Sequence, residues 1–267
     1  MGIGGSKSVE RMVLFPAPKS SYDYDLQNLV HYTDENGKKW PGLYVSATRE
    51  PPTATILYLH ANACDIGIIE HELAELAIRT GARIYAPEYP GYGIFDSDST
   101  TAAGIDEAAL NGIRFLKEIV GVHESDIAVF GRSIGSGPAA KLALVMEGLG
   151  TPCGGLILQT PYTGIHDLVD EYAPVGKMLI GDLWNSEDVV TSIDVPLLVI
   201  HGERDEVIPV SHGKTIYEKA ITKRKIGHFP TQARHNDWEF KEDVVFPTSS
   251  FLSTHIRDPR RKSRLGA

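Results

Sequence analysis

The chain is predicted to fold as an α/β domain in which a mostly parallel sheet carries helices on both faces. Short apolar runs rich in branched side chains, segments of helical period between them, and the regular alternation of the two lead to this class. Runs that are apolar throughout suit strands buried on both faces, and strand–helix alternation needs the crossover connections of a parallel sheet.

Strands are expected at 55–60, 83–87, 126–130, 155–159 and 196–201. Between the first two, Ile69, Leu73, Leu76 and Ala77 recur at helical spacing, and Asp65 is expected to cap a helix over 66–80. Ile105, Ala108, Ala109, Ile113 and Leu116 mark the next helix, and a small-residue helix is expected over 138–146. The stretch 167–195, with Leu179, Ile180, Leu183 and Trp184, is too long for a turn and is expected to form a small, partly helical cap. The expected organisation is an N-terminal segment over 1–22, a single domain over 23–256 and a mobile basic tail over 257–267.

Composition narrows the function classes. A chain of 267 residues, 42% hydrophobic, supports one core without metal or disulfide staples. Lys and Arg number 26 against 35 Asp and Glu, a net charge of -9, which supplies no basic field for nucleic acid. Two cysteines, Cys64 and Cys153, form no disulfide framework, so a reducing compartment is expected. No apolar run approaches a membrane span and the N-terminus lacks the apolar core of a secretory signal, so the expected location is cytoplasmic. The scattered histidines lack a ligand spacing, and no metal or organic cofactor is expected.

The segment Gly131-Arg-Ser133-Ile-Gly135 carries the chemistry. It is a G-x-S-x-G turn between an expected strand and an expected helix, the setting in which a serine hydroxyl stands clear above a sheet over a helix N-terminus. The competing reading is a glycine-rich connection whose serine merely caps the helix. A serine nucleophile needs a base, and the base needs a group to hold its tautomer. In chain order the acid is expected next, after a later strand, and Asp205 fits, with Glu203, Glu206 and Asp194 as competitors. His235, after the last expected strand, is the candidate base and His228 its rival, whereas His60 and His201 end strands and are expected to make structural hydrogen bonds. An oxyanion would be met by the backbone N–H of Ile134 and by one from the loop 60–65, assigned to Asn62 with Ala61 as the alternative.

Several blocks then resemble, in order, those of the α/β-hydrolase domain-containing protein 17 group of serine hydrolases, known as protein depalmitoylases. They are Phe15-Pro-Ala-Pro-Lys-Ser-Ser-Tyr22, His60-Ala-Asn-Ala-Cys-Asp-Ile-Gly67, Glu88-Tyr-Pro-Gly-Tyr-Gly93, Gly131 to Pro138, Pro161 to Asp167, His201 to Asp205 and His235-Asn-Asp237. The resemblance implies the α/β-hydrolase fold, a Ser133, Asp205, His235 triad and hydrolysis of acyl esters or thioesters. Ala61 stands where the group has glycine, Arg132 where it has glutamine, and the group's N-terminal cysteine cluster has no counterpart. The expected substrate is an S-acylated protein or acyl lipid. A lysophospholipase or carboxylesterase, or a non-catalytic binding protein on the same fold, are the alternatives.

Membrane contact has its own signal. Met1-Gly2-Ile-Gly-Gly-Ser6 matches the N-myristoylation pattern on Gly2, and one such chain binds membranes only marginally. The tail residues Arg257, Arg260, Arg261, Lys262 and Arg264 are a candidate second contact with an anionic surface, which predicts peripheral attachment to the cytosolic face.

Overall fold

The computed structural model describes residues 15–47, 52–97, 100–172 and 183–256. Eight strands form one sheet: β1 (Leu29–Thr33), β2 (Lys39–Val45), β3 (Thr55–Leu59), β4 (Arg83–Pro87), β5 (Ile127–Arg132), β6 (Gly155–Gln159), β7 (Leu197–Ile200) and β8 (Lys225–His228). Their spatial order is β1-β2-β4-β3-β5-β6-β7-β8. From β4 onward every pairing is parallel; β1–β2 and β2–β4 are antiparallel.

The helices are α1 (Glu70–Thr80), α2 (Ala102–Glu118), α3 (Ser136–Gly148), α4 (Ile165–Tyr172), α5 (Ser186–Val190), α6 (Val210–Lys219) and α7 (Phe246–His255), the last preceded by a π-helical turn, Phe240–Val245. The central strands alternate between two apolar layers, because successive strand side chains point to opposite faces. Leu57, Leu59, Val129, Leu156, Leu158 and Val199 pack with Ile105 and Leu116 of α2 and Ala139 and Ala143 of α3. Ile56, Tyr58, Phe130, Ile157, Leu198 and Ile200 pack with Leu73 and Leu76 of α1 and Phe251 and Leu252 of α7. No helix among the described residues is long and apolar enough to cross a membrane.

Besides the edge strand β8, which was not among the expected strands, two elements differ from expectation. Helix α1 starts at Glu70 instead of 66: Asp65 accepts from the Ile68 N–H (3.0 Å) as a cap does, but it closes only a turn, and its carboxylate also accepts from the Ser21 N–H (2.7 Å) and the Ser21 hydroxyl. The chain from 65 to 69 therefore makes a turn against Ser21 and Tyr22, and a Cβ on Gly67 would stand 2.8 Å from the Tyr22 ring. The second difference is the hairpin β1–β2, which pairs onto β4 and lengthens the sheet on its antiparallel side.

The expected cap segment is bracketed by α4 and α5, and its residues 173–182, with Leu179 and Ile180, lie outside the described residues. Trp184 is buried, donates its indole N–H to Asp106 Oδ1 (2.7 Å) and packs edge-on against Phe15, whose ring centroid is 5.9 Å away. Gly2 and the basic residues 257–264 also fall outside the described residues.

Candidate active site

Ser133 directly follows β5 at a φ of 52°, in the left-handed region that costs a side-chain-bearing residue energy and is held only where neighbours over-determine it. The glycines around it permit that turn. A Cβ on Gly131 would collide with the Gly135 carbonyl and Ser136 Cα, and one on Gly135 with the carbonyl oxygens of Leu59 and His60. The absence of both Cβ atoms lets the turn fold onto itself and sit against the end of β3, with α3 starting directly behind the serine.

The structure brings Ser133, His235 and Asp205 together. Ser133 Oγ lies 3.1 Å from His235 Nε2, and His235 Nδ1 lies 2.9 Å and 3.1 Å from the two oxygens of Asp205. A carboxylate only accepts, so Nδ1 carries the proton and Nε2 is left as the acceptor facing the serine hydroxyl. Ser133 and His235 are buried with a narrow exposed edge, and the Asp205 side chain is fully enclosed.

Three loops hold this line of groups. Asp205 follows β7 and accepts from the N–H groups of Val207 (2.9 Å) and Ile208 (2.8 Å). Backbone bonds from Glu203 N to Pro230 O (3.0 Å) and Arg204 N to Ala233 O (3.1 Å) tie the acid loop to the loop carrying His235. Trp238 donates its indole N–H to the His235 carbonyl (2.9 Å). Burial alone would raise the Asp205 pKa, but hydrogen bonds from His201, His235 and the Ile208 N–H override it and hold the carboxyl well below the usual range.

The competitors lie elsewhere. Glu203 pairs with Lys214 (3.1 Å), Asp194 with Arg224 (3.4 Å) and His228 with Asp243 (3.8 Å), and Glu206 stands exposed beside the acid loop. His201 and His60 make the structural bonds expected of them. His201 Nε2 bonds the Ile208 carbonyl (2.8 Å) and stands 3.4 Å from Asp205, so it braces the acid as well as the strand end.

Ile134 is buried directly after Ser133, its carbonyl accepting from the Tyr162 hydroxyl (3.2 Å). Asn62 lies on the loop after β3, its side-chain oxygen accepting from the Tyr92 hydroxyl (2.6 Å) and the Ala63 N–H (3.1 Å). Ala61 is not among the residues with positive φ, so its Cβ is accommodated without left-handed strain. Arg132 bridges the two sides of the site, its guanidinium 3.5 Å from Glu72 and 3.2 Å from Asn236 Oδ1.

Sequence reasoning missed the groups that fix the loop after β3: Glu88, Tyr22, Tyr89 and Tyr92. Glu88 and Tyr92 stand in a block that offers turn glycines but no signal that its side chains point back under the neighbouring strand.

No protein-family model matches the chain. It is 31% identical over 206 residues to human alpha/beta hydrolase domain-containing protein 17C, covering 76% of this chain and 59% of that one, and 28% identical to human 17B with 67% of that protein covered. The chain thus spans about three-fifths of the length of the 17C relatives. Among solved structures, an esterase from Pyrococcus furiosus superposes with a TM-score of 0.72 at 18% identity over 91% of this chain and 98% of its own. An alpha-beta hydrolase from Vibrio vulnificus gives 0.69 at 18% identity, covering 84% of this chain and 80% of that chain. The architecture is the α/β-hydrolase fold, and the curated proteins to which the chain is similar in sequence include alpha/beta hydrolase domain-containing proteins 17C and 17B.

Proposed function

We propose that the protein is a serine hydrolase that cleaves fatty-acyl thioesters or esters through an acyl-enzyme on Ser133. The observation that carries this is the hydrogen-bonded line from Ser133 Oγ through His235 to Asp205. His235 Nε2 takes the serine proton as Oγ attacks the acyl carbonyl, and Asp205 stabilises the imidazolium that forms. The backbone N–H groups of Ile134 and Asn62 are assigned to the oxyanion. The same imidazolium then protonates the leaving thiol or alcohol, and water, activated in turn by His235, releases the acid and restores the serine.

The finer reading is removal of acyl chains from proteins at a membrane surface. It is supported by the resemblance to the protein 17 group and by the Gly2 acylation pattern. Carboxylester cleavage is the second reading, favoured by the architecture shared with esterases.

Purified protein offered a palmitoyl thioester and a matched oxoester in competition is expected to prefer the thioester. Preference for the oxoester favours the second reading. Wild-type rates on both substrates in a folded Ser133→Ala variant would contradict the serine mechanism outright.

A further inference from the structure

Behind the loop assigned to the oxyanion lies a buried pair that the triad chemistry does not use. His60 and Glu88 end adjacent parallel strands, and neither side chain has any exposed surface. His60 Nε2 lies 3.1 Å from Glu88 Oε1, and Nδ1 lies 3.0 Å from the Ala61 carbonyl. A carboxylate and a carbonyl both only accept, so each ring nitrogen faces an acceptor and each must bring a proton. Nδ1 also lies 3.9 Å from the Cys64 sulfur, whose single hydrogen is directed to the same Ala61 carbonyl at 3.0 Å.

Glu88 is satisfied by donors throughout: His60 and the Tyr89 N–H (3.0 Å) on Oε1, the Tyr22 hydroxyl (2.9 Å) and the Ile66 N–H (3.2 Å) on Oε2. The His60 ring stacks on Tyr89 with centroids 3.8 Å apart, and the Tyr89 hydroxyl donates to the His60 carbonyl (2.9 Å). Burial opposes charge on His60, but hydrogen bonds with Cys64 and Glu88 outweigh it and push the pKa up to about 10.

We propose that His60, doubly protonated and paired with Glu88, is a positioning residue that sets the Ala61–Asn62 peptide for oxyanion binding. The inference rests on the hydrolytic reading of Ser133. The physical link is the planar trans peptide: the Ala61 carbonyl and the Asn62 N–H belong to one rigid unit and point in opposite directions. Two donors pin the carbonyl, so the direction of the Asn62 N–H is fixed before substrate arrives. The Tyr92 hydroxyl holds the Asn62 side chain on the same loop. Donors fixed in advance need no reorganisation when charge develops on the oxygen.

Two measurements test this. Nitrogen-15 NMR of the wild-type histidine rings is expected to show both His60 nitrogens protonated and unchanged between about pH 6 and pH 8, where an ordinary histidine loses its proton. A ring that titrates there, or carries one proton at neutral pH, overturns the inference without any variant having to fold. The second is the hydrolysis of p-nitrophenyl butyrate by wild type and Glu88→Gln, which keeps the carboxyl's shape but removes its charge. The folded variant is expected to lose at least about tenfold in kcat with KM within about threefold, the pattern of an interaction made in the transition state. An unchanged kcat in the variant, with wild type active, overturns the role of the pair and leaves the hydrolytic reading standing. Wild type without turnover overturns the hydrolytic reading itself.

Discussion

At Asp205, burial and hydrogen bonding oppose each other, and hydrogen bonding prevails. On the proposed mechanism Asp205→Asn keeps the shape of the site but lets Nε2 carry the proton, so kcat is expected to fall by about 10⁴-fold with the protein still folded. Loss of less than about tenfold would remove Asp205 from the orienting role. Stability follows the same residue. Because its folded pKa is depressed, the carboxylate contributes stability above its unfolded pKa of about 3.9 and loses that contribution as pH falls toward the folded value. His60 works in the opposite sense. With a folded pKa raised to about 10, it contributes fully below its unfolded value and loses that contribution as pH rises. Thermal unfolding midpoints are therefore expected to decline between about pH 6.5 and pH 10 in wild type, and less steeply in Glu88→Gln. Equal slopes would contradict a charged His60 in the folded protein.

The turn from β5 to α3 is the element most exposed to small changes, since Gly135 has no room for a Cβ beside the end of β3. Gly135→Ala is expected to cost about 1–3 kcal/mol in denaturant unfolding and to lower activity further than stability alone accounts for, by pushing Ser133 away from the loop at 60–65. A variant of wild-type stability would show that β3 gives way easily. The turn was legible because strand, G-x-S-x-G and helix occur together, and five of the six parallel strands, β3 to β7, were legible because burial leaves them almost wholly apolar, whereas the half-buried edge strand β8 was not.

Strands β1 and β2 were not legible. β1 mixes exposed and half-buried positions, and β2 carries Pro41 and Gly42 at its centre, residues that argue against an interior strand. Gly42 is tolerated there because Tyr85 of the neighbouring β4 lays its ring over it, and Pro41 still offers its carbonyl to Glu88 N (2.9 Å). The one available signal was Asn36-Gly37, a hairpin turn sequence, with Gly37 at a φ of 78° and Asp34 accepting from the N–H groups of Asn36 (2.9 Å) and Lys38 (3.0 Å). The start of α1 was misplaced because Asp65 makes the capping bond its type predicts, to the Ile68 N–H, yet the segment it caps is a turn held against Ser21 and the helix begins only at Glu70.

Across the whole molecule, the convergence of Ser133, Asp205 and His235 was legible from chain order while the groups around it were not, because His60, Glu88 and Tyr92 meet only when parallel strands place their ends together. With a net charge of -9, the proposed contact with an anionic membrane rests on the local basic run near residue 260 and on an acyl chain on Gly2. Myristoylated protein is expected to bind anionic vesicles weakly, about 10⁴ M⁻¹ for the chain alone, with salt removing the added contribution of the tail. Gly2→Ala is expected to abolish binding in sedimentation, and retention of binding would assign attachment to another surface. The central claim is that Ser133 is a nucleophile activated by His235, and intact-protein mass spectrometry after fluorophosphonate treatment reads it most directly. The expected result is a single adduct mapped to Ser133 in wild type and none in folded Ser133→Ala or His235→Ala over the same time. An unlabelled wild-type protein, or an adduct on another residue, would contradict the account.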